Sequence, residues 1–233
     1  MKKIRIILSL LLSTIFLTAC ILCIQTLYGA KPVSATDGGL RIVLDAGHGG
    51  VDGGVSGKVT KTKESDLNLA IVLKLNERLT DMGFDVTLTR KTEAGLYGAI
   101  GKGFKRRDMQ KRKEIIERTK PILVLSIHQN FYPSKSVRGG QVFYNKQNAG
   151  SLRLARIMQE TLNGLYLKQG VKERVQMSGE YYMLQCAPCP SVIVECGFLS
   201  SADEALLIDE AWQKTLVNEL ADGVMAYFSD ATA

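Results

Sequence analysis

The sequence predicts a single α/β domain with a mainly parallel central sheet flanked by helices, preceded by an N-terminal signal or anchor helix. Two observations carry this prediction. Short apolar runs typical of buried strands alternate with segments of helical periodicity, as in folds with a parallel sheet. The 233 residues are 45% hydrophobic and 23% charged, a composition too apolar for a disordered chain and sufficient for one sizeable core. The five cysteines are too sparse for a small disulfide scaffold.

The N-terminal sequence is typical of an export signal. Lys2, Lys3 and Arg5 precede an uncharged, mostly apolar run from Ile6 to Ile24. A basic end before an apolar stretch is typical of exported proteins, with the basic end held in the cytoplasm. The run is long for a cleaved signal and sufficient for one membrane span.

The sequence alone does not decide among three fates of this segment. It could remain as an uncleaved anchor, be cleaved near residues 30–35, or be lipidated at Cys20. All three place residues from about 36 onward outside the cytoplasm. We therefore expect a signal peptide or transmembrane anchor over residues 1–30, a linker over 31–39 and a catalytic domain over 40–230.

The charge of the exported part is only mildly basic. Removing the three cations of the N-terminal segment from the formal net charge of +7 leaves +4. Such an excess suits an anionic cell envelope and is no argument for nucleic acid, for which the chain also has no recognisable motif.

The first half of the domain begins with a short apolar strand over 40–44. Leucine and isoleucine then recur every four residues between positions 67 and 79, which predicts a helix that Gly83 ends. Residues 84–89 form the next strand. Residues 91–103 contain four glycines and no helical period, and therefore form a loop.

The second half continues the alternation. The charged segment 106–118 predicts a solvated helix, and the strongly apolar run 122–127 predicts a central strand. The remaining predicted elements are a strand over 140–144, an amphipathic helix over 151–162, a strand over 191–194 and a closing helix over 211–228.

Polar side chains collect where the predicted strands end. The only two histidines, His48 and His128, both follow apolar strands. In open α/β sheets the ligand crevice lies beyond the carboxyl ends of the strands, so we expect the two imidazoles in one shared site.

Two histidines need a third ligand to hold a catalytic Zn²⁺, which commonly takes two His, one Glu and an open position. Glu64 is the candidate, because it precedes the first helix, with Ser65 or Asp66 as the predicted N-cap, at the same sheet edge as His48. The alternative is that Glu64 only complements the helix dipole.

Glu195 is a second carboxylate of interest. It ends the apolar run 192–194, where a charged group is partly desolvated. Such a group is either ion-paired or poised for proton transfer, and its own neighbourhood in the sequence does not decide between them.

The chain contains four ordered motifs, which are Leu44-Asp45-Ala46-Gly47-His48-Gly49-Gly50, Glu64, Ser126-Ile127-His128-Gln129-Asn130 and Val194-Glu195-Cys196-Gly197-Phe198-Leu199-Ser200. Together they resemble the zinc-dependent N-acetylmuramoyl-L-alanine amidases, a family of peptidoglycan hydrolases, over roughly residues 40–228. The resemblance implies that His48, Glu64 and His128 bind Zn²⁺ and that Glu195 is the catalytic carboxylate. It implies hydrolysis of the amide between N-acetylmuramic acid and L-alanine.

The chain departs from the family pattern at Ala46, usually Pro, and at Gln129, where a small or apolar residue is common. Neither is a ligand position.

Three features resemble the germination-specific branch of the family, whose enzymes trim stem peptides so that muramic-δ-lactam forms in spore cortex. They are Leu96-Tyr97, the stretch 138–144 and the lone N-terminal segment. The expected partners are peptidoglycan, the membrane through the N-terminal segment and an activator protein. The alternatives are a zinc peptidase cutting within the stem peptide and a non-catalytic cell-wall-binding module.

Several further residues were open to interpretation. Asp45 or Asn130 could orient an imidazole, and Arg90 could form an ion pair behind the site or bind substrate. Cys186 and Cys189 have spacing that allows plain thiols, a disulfide, a redox pair or half a metal site. Two further features have simpler interpretations: Cys196 is predicted to face the core, and the basic cluster at positions 102, 105, 106 and 107 either is solvated or contacts anionic substrate groups.

Overall fold

The computed structural model describes residues 39–229, so the predicted signal or anchor segment and nearly all of the predicted linker lie outside it. Within this range no helix combines the length and apolarity that crossing a membrane requires. The strands are β1 (Arg41–Ala46), β2 (Asp85–Leu88), β3 (Leu123–Asn130), β4 (Gln141–Tyr144), β5 (Met177–Ser178) and β6 (Ser191–Phe198). The helices are α1 (Glu64–Asp81), α2 (Phe104–Thr119), α3 (Ala149–Leu167), α4 (Tyr182–Cys186), α5 (Asp203–Ile208) and α6 (Glu210–Ser229).

The six strands form one sheet in the order β2-β1-β3-β6-β4-β5. The four strands β2, β1, β3 and β6 are parallel, as predicted. The sheet is mainly parallel, as predicted, and is mixed only through the other edge, where β4 pairs antiparallel with β6 and β5 pairs parallel with β4. No helix separates β3 from β4, and without a helical crossover the chain enters the sheet in the opposite direction.

Helices cover the two sheet faces unequally. Helices α1, α3 and α6 build the main core against one face, around residues such as Ile42, Leu44 and Leu125. The other face carries only α2 and α4 over a small cluster that includes Val43 and Val124. Because side chains alternate along a strand, Asp45, Ser126, His128, Ile193 and Glu195 point to this thinly covered face, which we call the α2–α4 face.

Within residues 39–229 the predicted strands and helices all form, with boundaries that differ by a few residues. Gly83 follows α1 with a φ of 93°, the left-handed conformation that favours glycine after a helix. The predicted N-cap was wrong, because α1 begins at Glu64 and its N-cap is Lys63. The elements β5, α4 and α5 were not predicted.

The prediction that α2 is a solvated helix was wrong for one of its faces. Asp108, Arg112 and Ile116 are buried, and Arg112 is completely inaccessible to solvent. This buried stripe contacts β1, so α2 takes part in building the site.

Candidate metal centre

Two imidazoles and one carboxylate converge at the carboxyl ends of β1 and β3 and the first residue of α1. Glu64 Oε1 lies 3.3 Å from His48 Nε2 and 2.9 Å from His128 Nδ1. One ligand atom from each of the three residues lies within 4.8 Å of the others. The sequence predicted this grouping, and among residues 39–229 it is the one His, Cys, Asp and Glu cluster suited to a metal ion.

Glu64 is held by more than the histidines. Its Oε2 accepts a hydrogen bond from the Val55 backbone N–H at 2.9 Å, and its Oε1 accepts one from the Gln129 N–H at 3.2 Å. Burial alone would raise the pKa of Glu64, but hydrogen bonds and charge interactions with His128 and His48 hold it well below its ordinary value. The side chain is therefore an ionised carboxylate aimed at both imidazoles, and complementing the helix dipole does not describe this geometry.

His48 is held in a strained conformation. Its φ is 59°, in the left-handed region that a bulky residue rarely adopts. Two buried arginines bind the carbonyls of this segment: Arg112 Nη2 donates to the His48 oxygen at 2.6 Å, and Arg90 Nη2 donates to the Gly47 oxygen at 3.1 Å. Both guanidinium groups also donate to the Ala46 oxygen, at 2.8 and 2.9 Å. The backbone that carries the imidazole is thus fixed from both sides.

Gly47 is required by close packing. A Cβ at this position would lie 2.2 Å from His128 Cε1, a distance that real side chains essentially never show. Any larger residue would displace the second imidazole, so the glycine between β1 and His48 has a role in bringing the two histidines together.

Asp45 supports the site through Arg112 and does not orient an imidazole, which corrects one of the two predictions. Its carboxylate pairs with Arg112 and accepts hydrogen bonds from Ser126 Oγ at 2.5 Å and Thr89 Oγ1 at 2.7 Å. Burial would raise the pKa of Asp45, but the Arg112 guanidinium and these two hydroxyls lower it to about 2. On its other side Arg112 pairs with Asp108 at 2.7 Å.

The imidazole of His48 is oriented by Asp52, which sequence reasoning missed. Asp52 Oδ2 lies 3.2 Å from His48 Nδ1, and its other oxygen lies 3.2 Å from Lys105 Nζ. A carboxylate on one ring nitrogen fixes the tautomer that leaves the other nitrogen free to bind a metal. The other predicted candidate, Asn130, instead accepts a hydrogen bond from the Phe131 N–H and does not contact either ring.

Replacing Arg112 should cost the protein much of its stability. In Arg112→Met, two buried aspartates lose their cation and the Ala46 and His48 carbonyls lose donors. Removing one partner of a buried ion pair costs about 3–5 kcal/mol. We expect the free energy of unfolding, measured by urea denaturation, to fall by that amount. The matched control is Lys111→Met on the same helix, whose exposed pair with Glu114 should contribute at most about 1 kcal/mol. Equal losses in the two variants would show that the buried network does not stabilise the fold.

Glu195 lies next to this cluster. In the sheet register its Cα is paired with that of His128 on the neighbouring strand, and both side chains point to the α2–α4 face. Its Oε2 is buried without a hydrogen-bond partner among residues 39–229, and burial raises the pKa of Glu195 to about 7. Within the described residues Glu195 forms no ion pair, so of the two predicted interpretations the geometry favours proton transfer.

The remaining residues that the sequence left open have structural roles. Arg90 is buried on backbone carbonyls, so it is neither ion-paired among the described residues nor exposed to substrate. Cys186 and Cys189 form no disulfide among the described residues, and burial raises the pKa of each to about 11, which disfavours the thiolate near neutral pH. Cys196 faces the core, as predicted.

Residues of the predicted basic cluster make different contacts. Arg107 donates to the backbone oxygens of Tyr97, Ala99 and Lys102, so it fixes the preceding loop. Lys105 reaches the site through Asp52. The cluster is therefore not a single anion-binding patch.

Comparison with known proteins places these observations in a family. Residues 42–226 match the sequence model described as N-acetylmuramoyl-L-alanine amidase. A germination-specific N-acetylmuramoyl-L-alanine amidase of Bacillus subtilis is 31% identical over 204 residues, which is 86% of this chain and 84% of the relative.

Solved structures agree with the sequence comparisons. The CwlD amidase of Clostridioides difficile, solved in complex with the GerS lipoprotein, superposes with a TM-score of 0.76 at 36% identity and covers 81% of this chain and 98% of its own. The catalytic domain of CwlV, an N-acetylmuramoyl-L-alanine amidase of Bacillus (Paenibacillus) polymyxa, has a TM-score of 0.69 at 28% identity, with 81% of this chain and 98% of that one covered.

Proposed function

Since this chain belongs to the N-acetylmuramoyl-L-alanine amidase family, we propose that it cleaves peptidoglycan at the amide between N-acetylmuramic acid and the L-alanine of the stem peptide. The observation that carries this proposal is the convergence of His48, Glu64 and His128 beside the buried Glu195. A binding module without activity would have no need for a costly unpaired carboxylate beside a complete ligand set.

The three converging residues fit Zn²⁺. Two imidazole nitrogens and one carboxylate oxygen match the donor set of catalytic zinc sites, and the low pKa of Glu64 keeps its carboxylate ionised. Zn²⁺ bound by His48, Glu64 and His128 would supply Lewis-acid activation of the scissile carbonyl and of a water molecule.

Glu195 carries the proton in the proposed mechanism. Its unpartnered oxygen accepts a proton from the attacking water, and the protonated carboxyl then donates that proton to the leaving L-alanine nitrogen. Asp52 keeps the His48 imidazole in one tautomer, while Arg112 and Arg90 hold the backbone of His48 in place. These residues position the ligands and do not touch the reacting atoms.

The biological setting that we propose is the spore cortex. The similarity to the germination-specific amidase of Bacillus subtilis and to CwlD supports this branch. We further propose that the N-terminal segment anchors or exports the catalytic domain to the extracytoplasmic side. The complex of CwlD with the GerS lipoprotein supports an activator partner of the same kind for this chain.

The test is digestion of purified peptidoglycan by residues 36–233 with added Zn²⁺, with the products identified by mass spectrometry. Free stem peptides with an N-terminal L-alanine are the expected result. Cleavage elsewhere in the peptide would replace the proposal with a zinc peptidase. Binding to peptidoglycan with no released product, even after addition of envelope extract, would favour the binding module.

Removing the carboxylate behind His48 should weaken zinc binding without abolishing it. Partners that orient a ligand imidazole typically contribute about 10- to 100-fold to metal affinity, so we expect Asp52→Ala to raise the zinc dissociation constant by that factor. Competition with a chromogenic chelator measures it. Asp81→Ala, an exposed aspartate at the far end of α1, should bind zinc like the wild type. An unchanged affinity in Asp52→Ala would remove Asp52 from the metal centre.

A further inference from the structure

A cavity of about 280 Å³ opens from the metal centre across the α2–α4 face. Gly47, His48 and His128 line one end of it. The walls are the first turns of α2 and the start of α4, and they are mainly apolar. Their large side chains are Tyr97, Phe104, Met109, Tyr181, Tyr182 and Met183.

One wall of this cavity is preformed. The Tyr97 hydroxyl accepts a hydrogen bond from the Val51 N–H at 2.7 Å, and its ring meets Phe104 edge to face with centroids 5.3 Å apart. The opposite wall presents Tyr181 and Tyr182, which are 42% and 43% exposed. Aromatic faces left open beside a reaction centre are surfaces for stacking against a ligand.

The charged side chains that line the cavity favour a neutral occupant over an anionic one. Its two fixed cations, Arg112 and Lys105, are already paired, Arg112 with Asp45 and Asp108 and Lys105 with Asp52. Three aspartates therefore face two cations, and no lining cation remains to receive a carboxylate. The stem peptide carries carboxylates, whereas the sugar on the other side of the scissile amide is neutral.

We propose that this cavity binds the sugar side of the substrate, the N-acetylmuramoyl ring, with its C–H face and acetamido methyl against the aromatic walls. The proposal rests on the proposed amidase function and goes beyond it by naming which half of the substrate enters the α2–α4 face. The lactyl arm of the sugar then reaches the ligands at the end of the cavity, and the stem peptide leaves on the opposite side. Tyr182 is a residue that determines specificity for the acetylated sugar.

The experiment compares two defined substrates, a disaccharide tetrapeptide with N-acetylmuramic acid and its counterpart with a free amine on the muramic acid. We expect the wild type to cleave the acetylated compound with at least a 10-fold higher kcat/KM. Tyr182→Ala should raise KM for the acetylated compound about 3- to 10-fold with little change in kcat, because stacking on an aromatic ring contributes that much to binding. It should also reduce the preference for the acetyl group.

The matched control is Tyr132→Ala, an aromatic residue that is 52% exposed and does not line the cavity. It should keep the wild-type preference. Release of L-alanine-terminated peptides from whole peptidoglycan tests the amidase function separately, and its absence would overturn both proposals. If whole peptidoglycan is cleaved, three results would overturn the sugar site alone: equal rates on the two compounds, an undiminished preference in Tyr182→Ala, or no cleavage of the acetylated disaccharide. A Tyr182→Ala penalty that disappears when the peptide is shortened to L-alanine would assign the cavity to the peptide instead.

Discussion

Glu195→Gln should bind zinc as the wild type does and lose turnover by roughly 10²- to 10⁴-fold, the usual contribution of a positioned general acid and base. The substitution keeps the shape of the side chain and removes only its ability to carry a proton. Glu195 Oε2 has no hydrogen-bond partner in the described part of the chain, so replacing this oxygen by an amide breaks no hydrogen bond described there. The fold and the three proposed ligands should therefore survive.

Two measurements on the same preparation separate the outcomes. Mass spectrometry counts released stem peptides, and elemental analysis counts bound zinc. Glu180→Gln, an exposed glutamate two residues after β5, is the matched control and should keep full activity. Wild-type turnover in Glu195→Gln would remove Glu195 from the mechanism. Loss of both zinc and turnover would place it among the metal ligands.

The placement of His48, His128 and Glu195 could be predicted because each follows an apolar strand. Carboxyl ends of parallel strands meet at one edge of a sheet, so chain order translates into spatial proximity once the strands are recognised. Glu64 was a weaker inference from residue spacing, because an acidic residue at a helix start has an independent electrostatic explanation. In the structure, the contact of Glu64 with both imidazoles favours a ligand role over the helix-dipole explanation.

Arg112 shows what the sequence could not supply. Its spacing from Asp108 is that of an ordinary surface ion pair on a charged helix, and nothing local indicates that this face of α2 packs onto β1. Burial there depends on Asp45, 67 positions away in the chain. Asp52 was missed for a related reason, since it lies in an irregular loop where no periodicity indicates a side-chain direction. The antiparallel β4 and the two-residue β5 likewise depend on pairing partners that are distant in sequence.

His128→Ala should abolish stoichiometric zinc binding. His128 is one of only three proposed ligands, so the loss should exceed the 10- to 100-fold typical of residues that merely orient a ligand. The fold should tolerate the change, because the one hydrogen bond or ion-pair contact described for the His128 side chain is to Glu64. Unfolding by urea, measured beside the zinc content, confirms that a loss of metal is not a loss of structure.

The matched control for this variant is Asn130→Ala, two residues along β3, whose side chain bonds only the Phe131 backbone. It should retain one zinc per chain. Stoichiometric zinc in His128→Ala would refute the ligand assignment. Position 47 offers a second test, because an added Cβ there would collide with the His128 ring. Gly47→Ala should therefore also lose stoichiometric zinc, since the His128 ring must move.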